Sequence, residues 1–179
     1  MRRTGFVLRP FAAADLPPAV GITGSAERSA DTLSVRYELR GQRPQFIFTA
    51  AAEMPARRDR LWEETCFELF LGPEHSDRYW EFNLSPSGLW NVYCFESYRR
   101  GMREEQALTA LPFAADVRRD SLVVSLEADL SALIGRGEKL QAGVAAVVRL
   151  ADGSLTYWAL AHPGPKPDFH RRDSFLLEV

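Results

Sequence analysis

Cysteine and histidine are scarce in this sequence, and each scarcity removes a class of function. The two cysteines, Cys66 and Cys94, both fall in strand-like runs. They have neither metal-ligand spacing nor the spacing of a redox pair, so a disulfide framework is excluded and two buried thiols in a reducing compartment are expected. The three histidines, His75, His162 and His170, match no standard metal site. Charge of one sign is also lacking. A formal net charge of -2 leaves no clustered positive excess for nucleic acid. The groups Arg57, Arg58 and Arg60, and Arg99, Arg100 and Arg103, have acids beside them and read as solvated faces. No stretch approaches the roughly 18 apolar residues of a membrane helix. The first twenty residues, broken by Arg9, Asp15 and several prolines, do not form an export signal, so a cytoplasmic location is expected. Nucleophile elbow, phosphate loop and dinucleotide fingerprint are all missing, and no cofactor is expected.

What is present is β punctuation. Turn signals fall at Gly41 to Pro44, Pro73 to Asp77, Ser85 to Gly88 and Ala151 to Ser154, with short runs rich in Val, Phe, Tyr and Trp between them. Strands are predicted at Thr32 to Leu39, Thr65 to Leu71, Tyr79 to Ser85, Leu89 to Tyr98 and Ser121 to Glu127. A hairpin follows across Asp152 and Gly153, from Gln141 to Leu150 and Leu155 to Leu160. Arg103 to Leu108 and Leu130 to Ile134 carry weak helical signals, a turn or two each. Repeated, and with no helix in each connection, this pattern predicts an all-β fold over 1–179 as a single domain. The form expected is an antiparallel β-sandwich, jelly-roll-like, of two sheets with minor helical turns.

The densest chemistry lies between Trp62 and Tyr98. A period of two puts Phe67, Leu69 and Leu71 on one face of the first strand there, and Cys66, Glu68 and Phe70 on the other. In the next strand Trp80, Phe82 and Leu84 oppose Tyr79, Glu81, Asn83 and Ser85. In the third, Trp90, Val92 and Cys94 oppose Asn91, Tyr93 and Phe95. A carboxylate at Glu68, amid apolar neighbours, is costly unless it is paired or faces a wet cleft. Glu81 and Asn83 share its face if the strands are neighbours. Two acids and an amide rimmed by Trp62 or Trp90 suit a sugar, whose hydroxyls pair with them while an indole stacks on the ring. A sheet with one wet face alternates in the same way, and its tryptophans are then core.

The run WEETCFELFL from Trp62 to Leu71, then YWEFNLSPSG from Tyr79 and WNVY from Trp90, resembles the DOMON-like domains related to family 9 carbohydrate-binding modules. The closing KPDFHRRDSF from Lys166 to Phe175 resembles the end of that group. The resemblance implies a sandwich of two antiparallel sheets. In the sugar-binding members it implies a site of tryptophans with acidic, amide and basic side chains nearby. The matching positions are Trp62, Glu68, Glu81 and Asn83, with Trp90 and Trp158 both candidates for a second platform. Those members are secreted appendages of polysaccharide-degrading enzymes, unlike the cytoplasmic chain expected here, and fold alone does not carry their role across.

The function expected is a non-catalytic binding module for a small carbohydrate or related polar ligand. The alternative is a protein-interaction or dimerisation domain anchored on Tyr98, Arg99 and Arg100. Less favoured are a sugar-acting enzyme, in which Glu68 and Glu81 form an acid-base pair, and a haem domain using Met54 or Met102. The proline-rich loop from His162 to His170 offers two histidines and Asp168 to a metal. Its simplest reading is a rigid cover over one end of the sandwich, tied down through Asp168 or His170.

Overall fold

The computed structural model describes residues 3–12, 16, 19–41, 45–48, 52 and 54–179. Among them run thirteen strands: β1 (Arg3–Pro10), β2 (Gly21–Ser29), β3 (Thr32–Arg40), β4 (Ala56–Arg57), β5 (Cys66–Pro73), β6 (Tyr79–Leu84), β7 (Leu89–Phe95), β8 (Arg103–Glu104), β9 (Phe113–Val117), β10 (Ser121–Asp129), β11 (Leu140–Arg149), β12 (Leu155–Ala159) and β13 (Leu177–Glu178). Helical structure among these residues amounts to single 3-10 turns, at Leu61–Glu63 and Arg172–Ser174, with Gln45 in the same conformation. The all-β expectation stands. Of the two segments with weak helical signals, Arg103 and Glu104 form β8. Leu130 begins a turn closed by Leu133 and Ile134 N–H donating to its carbonyl. Three of the four residues of the turn expected at Gly41 to Pro44 lie outside the described residues.

The strands follow one hydrogen-bonded path, β4-β7-β6-β5-β11-β12-β1-β2-β3-β10-β9, with β13 on β11 and β8 on β7. This differs from two separate antiparallel sheets. β1 serves both halves: Arg3 to Leu8 pair with β2, while Arg9 and Pro10 pair with Ala159 and Trp158 of β12. The short β4 runs parallel to β7, so the sheet is mixed and curls as one piece.

The curl brings the halves face to face over a shared core. Phe67, Leu69 and Leu71 of β5 and Trp80, Phe82 and Leu84 of β6 join Val35, Tyr37 and Leu39 of β3 in it. Tyr37 marks the crossing. Its ring lies 5.3 Å from Phe67, and its hydroxyl donates to the Glu68 carbonyl at 2.8 Å. The face assignment made from the period of two is the observed one.

The opposite face of β5 to β7 is not left wet. Phe70, Tyr79, Tyr93, Phe95 and Phe175 form a second buried cluster, with Trp62 and Phe169 packed against it. Gly143 of β11 makes room for Phe175, because a Cβ there would lie 2.9 Å from its ring. Covered on both faces, β5 and β6 are buried at every residue.

Candidate binding site

Register places the polar residues of β5 and β6 together. Glu68 sits opposite Asn83 and Phe70 opposite Glu81, so the two glutamates are diagonal neighbours on the outer face. A segment from the C-terminal end, His162 to Arg171, passes over that face as a strap. Between sheet and strap opens a cleft of about 350 Å³ lined by Glu68, Glu81, Trp62, Phe95, Arg99 and His170. Its remaining walls include Tyr157 and Phe169. The volume lies within the roughly 300–1,000 Å³ usual for small-molecule sites.

The strap is held by a connected set of hydrogen bonds. Asp168 accepts from Arg99 at 2.9 Å, from the Tyr98 hydroxyl, and from the His170 N–H at 3.2 Å. Arg99 has left-handed backbone, φ 53°, and its N–H donates to the Tyr79 hydroxyl at 3.2 Å. That hydroxyl also pairs with Nδ1 of His170, 2.8 Å away. Nε2 lies 3.7 Å from a Glu81 oxygen.

The electrostatics follow from burial. Burial, then the neighbouring Glu81 charge, pushes the Glu68 carboxyl well above the carboxylate range, with Arg99 opposing. Burial also raises Glu81 to about 7, although Asn83 Nδ2 donates to its Oε1 at 2.9 Å. Burial, then Arg99, lowers His170 to about 4, so near neutral pH it is uncharged and its approach to Glu81 is no ion pair. For Asp168 burial works upward, but the bonds from Tyr98 and Arg99 outweigh it and hold the group low. Glu68 is 3 % exposed, and its Oε1 has no hydrogen-bond partner among the described residues. An unmade bond on a buried acceptor costs about 1–3 kcal/mol.

The expected site residues divide. Trp62 is half-buried at the rim, its ring 5.7 Å from Tyr93, and lines the cleft with Glu68 and Glu81. Asn83 is fully buried and acts on Glu81 while accepting from Cys66 Sγ at 3.4 Å. Trp90 and Trp158 do not reach the cleft. Both are packed in the main core, Trp90 under the Arg57 guanidinium and Trp158 donating its indole N–H to Thr156.

Arg99, Tyr157, Phe169 and His170 line the cleft but were not among the expected site residues. The available signal was the proline-rich loop: Asp168 and His170 do tie it down, but it covers the outer face of β5 and β6 and not one end of the sandwich. Tyr98 and Arg99 are engaged with Asp168. Of the two methionines weighed for haem, Met54 is exposed and Met102 lines the cleft. No group of three or more metal-ligating side chains occurs among the described residues.

The curled β-sheet is carbohydrate-binding-module-like in fold, and solved structures share that fold. A "putative carbohydrate-binding protein" from Bacteroides uniformis ATCC 8492 is similar with a TM-score of 0.72 and 16% identity, over 96% of this chain and 83% of that one. A family 9 carbohydrate-binding module from Caldicellulosiruptor kristjanssonii, in complex with cellotriose, gives 0.53 and 11%, over 88% and 72%. A family 9 module from that organism in complex with glucose gives 0.52 and 11%, over 92% and 78%. At such identities the likeness is one of fold. No family model and no curated protein matches the chain.

Proposed function

We propose that this chain is a non-catalytic binding module for a small carbohydrate or a related polar ligand, held in the cleft between β5, β6 and the strap. The observation that carries the reading is the Oε1 of Glu68, without a partner among the described residues, on a side chain that lines a cleft bordered by Trp62. A sugar hydroxyl would supply the missing donor while the indole covers the ring's apolar face. Fold likeness to modules solved with glucose and with cellotriose supports it. The same reading takes the curled sheet as a two-sheet, jelly-roll-like sandwich of the DOMON-like kind.

Calorimetry against a panel of neutral, amino and acidic monosaccharides and disaccharides tests it. At least one should bind, and Trp62→Ala should weaken that binding by about tenfold or more. A panel with no binder at millimolar sugar would end the carbohydrate reading.

A further inference from the structure

The acceptors around the cleft outnumber the donors that face them. Two carboxyl groups, Glu68 and Glu81, line it. Arg99 is the guanidinium that lines it, and Asp168 pairs with Arg99 at 2.9 Å. Tyr79 occupies the imidazole of His170. From β3, Tyr37 reaches the carbonyl of Glu68 and leaves the carboxyl alone. Cys66 of β5 gives its thiol to Asn83. Asn83 in turn satisfies one oxygen of Glu81 and leaves the other 3.7 Å from His170.

Two oxygens therefore wait for donors: Oε1 of Glu68, without a partner, and Oε2 of Glu81, with none in hydrogen-bond reach among the described residues. A hydroxyl brings one proton. An ammonium brings three donors and a charge, enough for both oxygens at once. The walls agree, since the faces of Trp62, Phe95 and Phe169 carry the negative quadrupole that attracts cations. Resting on the carbohydrate reading, we propose that the cleft selects an amine-bearing saccharide, its ammonium taken by Glu68 and Glu81 and its ring by Trp62.

Binding has a proton balance. In the empty cleft the glutamate pair retains proton, because both groups sit high. An ammonium favours the ionised pair, so proton is released to the buffer as the amine enters.

Calorimetry on the full chain near neutral pH, with D-glucosamine, D-glucose, N-acetyl-D-glucosamine and cyclohexylamine, decides the matter. D-glucosamine should bind about tenfold or more tighter than D-glucose or its N-acetyl derivative. Its heat should differ between phosphate and HEPES in the sense of proton release. Glu68→Gln and Glu81→Gln should each erase the preference while thermal melts show them folded. Equal binding of D-glucose and D-glucosamine would overturn the amine proposal and leave the carbohydrate reading standing. Equal binding of cyclohexylamine and D-glucosamine would remove the sugar and keep the ammonium site. Failure of all four to bind overturns the proposal, while binding elsewhere in the wider sugar panel would still support the carbohydrate reading. The comparison of ligands on the unmodified chain holds even if both variants unfold.

Discussion

Four tryptophans in this chain do different work, and burial separates them. Trp80, Trp90 and Trp158 are 2 to 3 % exposed and sit in the core between the halves of the sheet. Trp80 also donates its indole N–H to Glu105 at 2.9 Å. Trp62, on its 3-10 turn, keeps one side toward the cleft. Truncating a buried tryptophan leaves a cavity and costs about 3–5 kcal/mol. Trp90→Ala and Trp158→Ala are expected to lose that much in urea denaturation. Trp62→Ala is expected to lose less than about 2 kcal/mol, for it surrenders only part of its buried area. A loss from Trp62 equal to the other two would place it with the core and remove the platform.

At the scale of elements, β1 and β2 hold the two halves together, and neither was read as a strand from sequence. β1 turns only Phe6 and Leu8 inward, with Val7 exposed between them. β2 contributes little beyond Ile22 and Ala26. What lets them pack is Gly24. It pairs with Phe6 on one side and Tyr37 on the other, and the Phe6 ring lies over it where a Cβ would stand. The same Cβ would press on the carbonyl of Arg36. Gly24→Ala should therefore destabilise by about 1–3 kcal/mol, although alanine suits a strand no worse than glycine in general. Chemical denaturation measures it, and an unchanged midpoint would mean that the Phe6 ring and the Arg36 carbonyl can both give way at no cost.

For the whole molecule, the buried acids set the pH response. Glu81 titrates at about 7 in the folded chain against an ordinary 4.5, so the folded state holds its proton longer. Its contribution to stability is complete below 4.5 and lost as pH rises through about 7, and Glu68 acts with the same sign. His170 works the other way: at about 4 against an ordinary 6.5, it gives up stability as pH falls through that interval. Above 6.5 the histidine no longer opposes the acids, and stability should fall by ~1.4 kcal/mol per pH unit for each proton lost on unfolding. Melting temperatures should drop from slightly acid pH through about 7, and the double variant Glu68→Gln, Glu81→Gln should flatten the drop. A melting temperature that climbs through neutrality would show that the pair is already ionised in the fold.

Local pattern determined a good part of this protein. Alternation in β5, β6 and β7 is a property of the extended backbone, so the sequence alone set Glu68, Glu81 and Asn83 on one face and Phe67, Phe82 and Val92 on the other. It also singled out Trp62 and the proline-rich loop. Tertiary structure decided what covers each face. Arg99 and Asp168 meet across 69 positions, and the strap that roofs the cleft packs on strands nearly a hundred residues earlier. Trp90 and Trp158 became core and Trp62 became rim because sheet order, not period, chooses which face another layer will bury. A strand's alternation is written in its own residues, while the partner of each face is set by the curl of the whole sheet.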